Sequence, residues 1–389
     1  MDKKKQLIIK VVTLLAFIII FSLLIIVANR DNPTNYKTGA NSPIRYEKAK
    51  VIEVLEDNTE VDKNSEGLRR GSQKIEVKIQ SGEHKGETKI IDNHLGLLFN
   101  VYAKEGTKVI VRIDSYDDDY HVSIYNYDRF FILYGTILLF CILMCVIGGK
   151  KGLLALLGLV FTIICVMKIL VPMIYKGAPV LPVTMFIVAI TAIVCLILLD
   201  GLNTKTITAI IGTVLGVFIA GLLSYIIGKL ARISGLNMEE AESLLLIASD
   251  KGLKIRDLFV SGILISALGA VIDIAMSIAS ALYELHTVNP MIKQHTLFRS
   301  GMNIGKDAMG TMANTLILAF VGTSLNLVLM IFAYGVPITQ LINTDLIAIE
   351  IIRAITASIG IISTVPIVAF LGSRIIKKNT IKGLLKFNK

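Results

Sequence analysis

One carboxylate sits where an apolar helix can least afford it. Asp273 lies near the middle of the run from Ser261 to Ser280, whose text reads Ser-Gly-Ile-Leu-Ile-Ser-Ala-Leu-Gly-Ala-Val-Ile-Asp-Ile-Ala-Met-Ser-Ile-Ala-Ser. An acid at the centre of a membrane helix costs about 2.5–3.5 kcal/mol, so it is expected to face protein or a water-filled space. Helical spacing puts Ser266, Ala270, Asp273, Ser277 and Ser280 on one face, with Glu284 just beyond. Such a stripe suits a pathway for a proton, a cation or a small polar solute, with Asp273 as its charged element. It also suits close helix packing in which Asp273 pairs with a hydroxyl or a base for assembly.

A second stripe follows. Asp307, Thr311, Asn314, Gly322 and Asn326 share a narrow arc of the next candidate helix, after the polar approach Ser300-Gly301-Met302-Asn303-Ile304-Gly305-Lys306-Asp307. The two striped helices could face each other. Gly301 and Gly305 have the look of a phosphate loop, but no Gly-Lys-Ser/Thr ending follows, so a tight, capped helix start is expected there. Further along, Glu350 and Arg353 are spaced for an i,i+3 ion pair, and depth argues against Arg353 reaching Asp273. Pro366, preceded by Ser363 and Thr364, is a candidate kink for packing or gating. Gly212 and Gly216 form a GxxxG step that points to helix packing.

Other chemistry finds little footing. The histidines His84, His94, His121, His286 and His295 are dispersed without metal-ligand spacing, so no metal and no cofactor are expected. Neither a Gly-x-Ser-x-Gly elbow nor a His-Glu-x-x-His pair is present, and the chain is not expected to be an enzyme. Cys141, Cys145, Cys165 and Cys195 all lie in apolar runs, where a structural disulfide is not expected.

The elements that must position these residues are membrane helices. The 389 residues are 54% hydrophobic and 18% charged, with a mean hydropathy of +0.69, which implies a bilayer as main solvent. Residues 30–129 hold 16 Lys+Arg and 18 Asp+Glu. The basic excess therefore belongs to the rest of the chain, where it clusters at Lys3-Lys4-Lys5, Lys150-Lys151 and Arg374 through Lys386. That pattern marks cytoplasmic flanks beside lipid rather than a nucleic-acid surface.

Eight apolar runs are long enough to span: 11–28, 130–149, 152–173, 181–199, 206–229, 257–282, 308–332 and 350–371. The first, after its lysine cluster, reads as an uncleaved anchor, although Val27-Ala28-Asn29 leaves removal as a signal sequence open. The segment 230–256 reads as an amphipathic or half-inserted helix. Basic residues in short loops place both termini in the cytoplasm, on the inner side of a cell membrane.

Between the first two runs the periodicity changes to alternation, as in Lys74-Ile75-Glu76-Val77-Lys78-Ile79 and Lys108-Val109-Ile110-Val111-Arg112-Ile113. About five short strands suit a small extracytoplasmic OB-like or SH3-like barrel. The expected organisation is an anchor over 1–29, the β domain over 30–129, seven helices over 130–375 and a basic tail over 376–389. No internal repeat is evident, which weighs against an inverted-repeat transporter.

With these residues in view, the chain resembles the YibE/F family of bacterial multi-pass membrane proteins. The matching text is Gly269 through Ser280, Asn289-Pro290, and Ser300 through Phe320; the likeness extends over roughly residues 120 to 375. Lys306 stands where the family leads one to expect arginine, which keeps the charge but loses a forked donor. The resemblance implies a membrane protein of unknown or transport function, with Asp273, Lys306, Asp307 and Asn314 in its characteristic region. The leading expectation is a permease for a small polar or ionic solute. The alternative is a non-transporting scaffold or sensor whose β domain binds an envelope component; an oligomer is compatible with either reading.

Overall fold

A computed structural model describes residues 19–30, 44–63, 65–116, 119–233 and 255–387. The chain divides into two compact units, Asp31–Val146 and a helical unit formed by Met1–Arg30 with Ile147–Lys389. The 230–256 amphipathic segment falls almost wholly outside the described residues.

The first unit carries one antiparallel sheet. Its strands are β1 (Ile44–Val61), β2 (Arg69–Ile79), β3 (Thr88–Leu95), β4 (Lys108–Tyr116) and β5 (Asp119–Tyr127), in the order β3-β2-β1-β4-β5. Alternation creates the core. Ala49, Val51, Ile75, Val77, Ile79, Val109, Val111, Ile113 and Val122 are all buried on one face, while the charged residues between them point to water. The 18-residue β1 is shared by both halves: its first part pairs with β4 and its later part with β2. Register shifts between Val51 and Glu53 and between Val54 and Glu56 are where bulges bend the strand and curl the sheet. The result is a curled, partly open half-barrel, as expected for an OB-like domain. Near the top of the barrel the Tyr120 ring stacks on His84 at 3.8 Å between centroids, and Tyr120 also hydrogen-bonds Glu87. The Glu87 carboxyl is held below its usual range chiefly by the Tyr120 hydroxyl.

A buried amide pair ties the long β3–β4 loop down. Gln73 Nε2 donates to the Ala103 carbonyl at 3.0 Å, and its Oε1 accepts from Ala103 N–H at 2.9 Å. Asn93 Nδ2 donates to Gln73 Oε1 at 3.2 Å and to the Val101 carbonyl at 2.8 Å. Polar side chains this deep are tolerable because they are bonded.

The helical elements are α1 (Ile19–Asn29), α2 (Phe130–Cys165), a π-helical turn (Val166–Leu170), α3 (Val171–Tyr175), α4 (Val180–Asp200), α5 (Thr204–Leu230), α6 (Ile255–Val288), α7 (Gln294–Thr323), α8 (Leu325–Ala333), α9 (Ile338–Ile342) and α10 (Asp345–Phe387). Five stretches among the described residues are long and apolar enough to cross a membrane, or six if the pair α7–α8, bent by 57°, is one span. This is fewer than the eight expected. The runs 130–149 and 152–173 form one helical stretch of 46 residues, Phe130–Tyr175, interrupted at Gly149, whose φ of 54° and ψ of −134° leave helical geometry. The first run is described only from Ile19 onward, too short to count.

Close approach of backbones fixes the helical core. A Cβ on Gly212 would lie 2.2 Å from Val368, and one on Gly216 would lie 1.9 Å from the Thr364 hydroxyl. The GxxxG step of α5 is therefore a pair of notches filled by α10. Helix α1 docks against the end of α2 and its continuation, with Ala28 in a cluster that includes Cys165, Ile169 and Ile174. Pro172 has no N–H, and the turn before it has π spacing, with Val171 N–H on the Val166 carbonyl; the Lys168 carbonyl lies in this irregular stretch. Asn29 Nδ2 donates to that carbonyl at 2.7 Å, and Lys176 Nζ in return reaches the Val27 carbonyl at 3.3 Å.

Candidate functional site

Helices α6 and α7 run antiparallel and touch through small residues. Positions for a Cβ on Gly301 and Gly305 are occupied by Leu282 and Ala369 and by Val365 and Ile278, respectively. Both glycines lie inside α7 and are buried. They belong neither to a phosphate loop nor to a helix start, because α7 already begins at Gln294 and their missing side chains admit α6 and α10.

These contacts set the levels of the two stripes. Leu282 meets Gly301 and Ile278 meets Gly305, so stepping five residues along each helix, about 7.5 Å, brings Asp273 level with Gly310, between Asp307 and Thr311. On α6 the packed face consists of Val260, Ile263, Leu264, Ala267, Val271, Ile274, Ala275, Ile278 and Leu282, all buried. Asp273 and Ser277 are exposed and Ser280 is half-buried, on the face turned away from that packing. On α7 Asp307, Thr311 and Asn314 are likewise exposed, and Thr311 spends its hydroxyl on the Ala308 carbonyl at 2.9 Å. The carboxylates of Asp273 and Asp307 and the ammonium of Lys306 make no hydrogen bond or ion pair with another described residue.

The remaining candidates lie apart. Arg353 and Glu350 of α10 pair at 2.9 Å, and the guanidinium stands 6.0 Å from the Phe320 ring of α7. Val365 and Ala369 lie beside Gly305 and Gly301, so Arg353 is well removed from the level of Asp273. Pro366 is inside α10 and exposed. Among the described residues, the fully buried polar side chains of the bundle are mostly serines and threonines. Thr184 and Ser261 share a 2.6 Å bond between α4 and α6, while Thr213 and Ser224 of α5 are buried without a bonding partner among the described residues. Sequence reading passed over these residues because serine and threonine at helix contacts look like packing. Among the described residues no group of three or more His, Cys, Asp or Glu could hold a metal ion.

A family model described as YibE/F-like protein matches residues 136–378, and one described as the YibE/F family N-terminal domain matches residues 44–127. The chain belongs to the YibE/F family. The first match takes in α4 to α9, most of α10 and both polar stripes, and with five or six stretches able to cross a bilayer this YibE/F chain is a multi-pass membrane protein. The second begins and ends with β1 and β5, which makes the curled sheet the family's amino-terminal domain. No curated protein and no solved structure matches this YibE/F chain.

Proposed function

We propose that this YibE/F protein is a permease of the cell membrane, moving a small polar or ionic solute along the adjoining polar flanks of α6 and α7. The observation that supports this reading is the carboxylate of Asp273, unpaired among the described residues, at the middle of α6 and level with Asp307 and Thr311 on the neighbouring helix. A charge held at that depth favours a cation over an anion, and Ser277, Thr311 and Asn314 offer oxygen ligands in place of water. Because this flank is on the outside of the packed helices, a route along it needs a further wall. The test is solute flux in vesicles containing the purified protein, with protons and small monovalent cations as first probes. Asp273→Asn should lower flux by about tenfold, the effect of roughly 1.4 kcal/mol on the barrier. Unchanged flux for every solute carried by the wild type, in a variant with unaltered folding, would remove the central residue of the proposal.

The exposure of the same flank favours a second reading, in which it is an assembly face of a non-transporting scaffold. In that case Asp273→Asn changes the oligomeric state, and wild-type vesicles carry no solute.

A further inference from the structure

The β3–β4 loop opens with a turn that presents apolar side chains to solvent. Gly96 N–H donates to the Phe99 carbonyl at 2.9 Å, and Asn100 Nδ2 donates to the carbonyls of Gly96 and Arg69. The turn is thus closed on itself and fastened to β2, and the Gln73–Asn93 pair anchors the chain just behind it. Within it Leu97 is 59%, Leu98 91% and Phe99 64% exposed. Three successive large apolar residues on a rigid turn are a costly surface in water, and such patches mark places where something else binds.

The turn's position identifies what that is. Strands β1, β3 and β5 all run toward the end of the sheet where β5 passes, two residues later, into the apolar helix α2. The β3–β4 loop returns to the end of β5: Tyr127, the last residue of β5, donates its hydroxyl to the Tyr102 carbonyl at 3.2 Å, and Arg69 beside Tyr102 receives the Asn100 amide on its carbonyl. Val61 and Leu68 are also exposed here, as are Phe130 and Phe131 at the start of α2. Basic and aromatic groups border the patch: Arg69 lies 4.4 Å and Lys104 5.7 Å from the Tyr102 ring, and Arg129 lies 5.8 Å from the Tyr127 ring. Tyrosines with long cations around an apolar surface are the composition of a membrane–water boundary. The turn Ser81-Gly82-Glu83-His84-Lys85-Gly86, at the other end of β2 from Arg69, is polar.

We propose that the turn Gly96–Asn100 is a membrane-surface anchor. It sets Leu97, Leu98 and Phe99 into the lipid interface of the bilayer that α2 crosses, so that the β domain is held to the membrane at a second point besides its covalent link. The mode is that of a monotopic insertion, apolar side chains below a ring of Tyr, Arg and Lys.

The chain contains no tryptophan, so a single introduced indole reports its own surroundings. Full-length Leu98→Trp is reconstituted in phosphatidylcholine vesicles, with Lys85→Trp in the polar turn as the comparison. The expected result for Leu98→Trp is emission at shorter wavelength, strong quenching by lipid brominated near the top of the acyl chain, and protection from aqueous iodide. Lys85→Trp should show the reverse. If Leu98→Trp does not fold, Phe99→Trp takes its place. Quenching by iodide without quenching by brominated lipid overturns the proposal. Short-wavelength emission that brominated lipid leaves untouched overturns it too, since a protein surface then covers the turn.

Discussion

Replacing Gln73 with leucine should cut the β3–β4 loop free from the sheet. The two side chains are similar in size and Gln73 is buried, so the change removes hydrogen bonds more than volume. The Ala103 N–H and C=O each lose the one hydrogen-bond partner they have among the described residues, at 2.9 and 3.0 Å. Asn93 keeps its bond to the Val101 carbonyl, and Asp57 keeps those from Tyr102 and Thr59. Leaving a buried polar group unsatisfied costs about 1–3 kcal/mol, so two orphaned groups cost about 2–6 kcal/mol, a large part of the stability of a small domain. Hydrogen exchange on the full-length protein in bilayer discs is the assay. Since roughly 1.4 kcal/mol is a factor of ten, amides of residues 100–104 should exchange at least about 30-fold faster. Peptides from α4 to α6 should be unchanged. Exchange over 100–104 within about twofold of wild type would mean that the amide pair does not hold the loop and that the reasoning from its bonds is wrong.

Other outcomes follow from the same contacts. Gly216→Ala brings a methyl against the Thr364 hydroxyl, and overpacking of this kind costs about 1–3 kcal/mol; the thermal midpoint in detergent should fall, and the added change Thr364→Ala should recover part of the loss. Asn29→Ala removes the side-chain donor that ties α1 to the Lys168 carbonyl, so it should lower the thermal midpoint in detergent. Asp57 is held below the ordinary carboxylate range by the Thr59 hydroxyl first, with desolvation the next-largest effect and opposing it, and Tyr102, the Thr59 amide and Gln73 adding to the lowering. Its contribution to stability is therefore full above the ordinary carboxylate value and is lost as acid carries the pH down through the lowered one. Asp57→Asn should flatten that acid limb in a plot of unfolding temperature against pH.

The strands were legible because water on one face and a core on the other impose a period of two, and the charges of Lys74, Glu76 and Lys78 mark the wet side. The α5 glycine step was legible for a similar reason, since two missing Cβ atoms one turn apart leave few uses other than a close neighbour. Hydropathy does not register where a helix breaks. The runs 130–149 and 152–173 continue into one another across Gly149, the first is described only from Ile19, and the α7–α8 pair bends at Ser324, so eight runs become five or six spans among the described residues. The surroundings of the Asp273 stripe were also hidden. Periodicity shows that Ser266, Asp273 and Ser277 share a face of α6, but Ala267, Ala275 and Ala279 make the opposite face equally small-featured, and only packing shows which one meets α5 and α10. The turn Leu97-Leu98-Phe99 escaped notice because three large apolar residues beside a strand read as core.

The notches of α5 have a mechanical consequence. Val368 fills the one at Gly212 and Thr364 the one at Gly216, with Gly360 in turn against Ala220 and the Gly216 carbonyl. Two pegs in two holes act as a detent: α10 cannot slide along α5 without lifting both at once, so the pair travels as a single strut. Helix α8 has no buried residue and meets α7 at a 57° bend. Compliance in the helical unit is thus expected at the Ser324 elbow, with the α5–α10 strut as the frame against which it flexes.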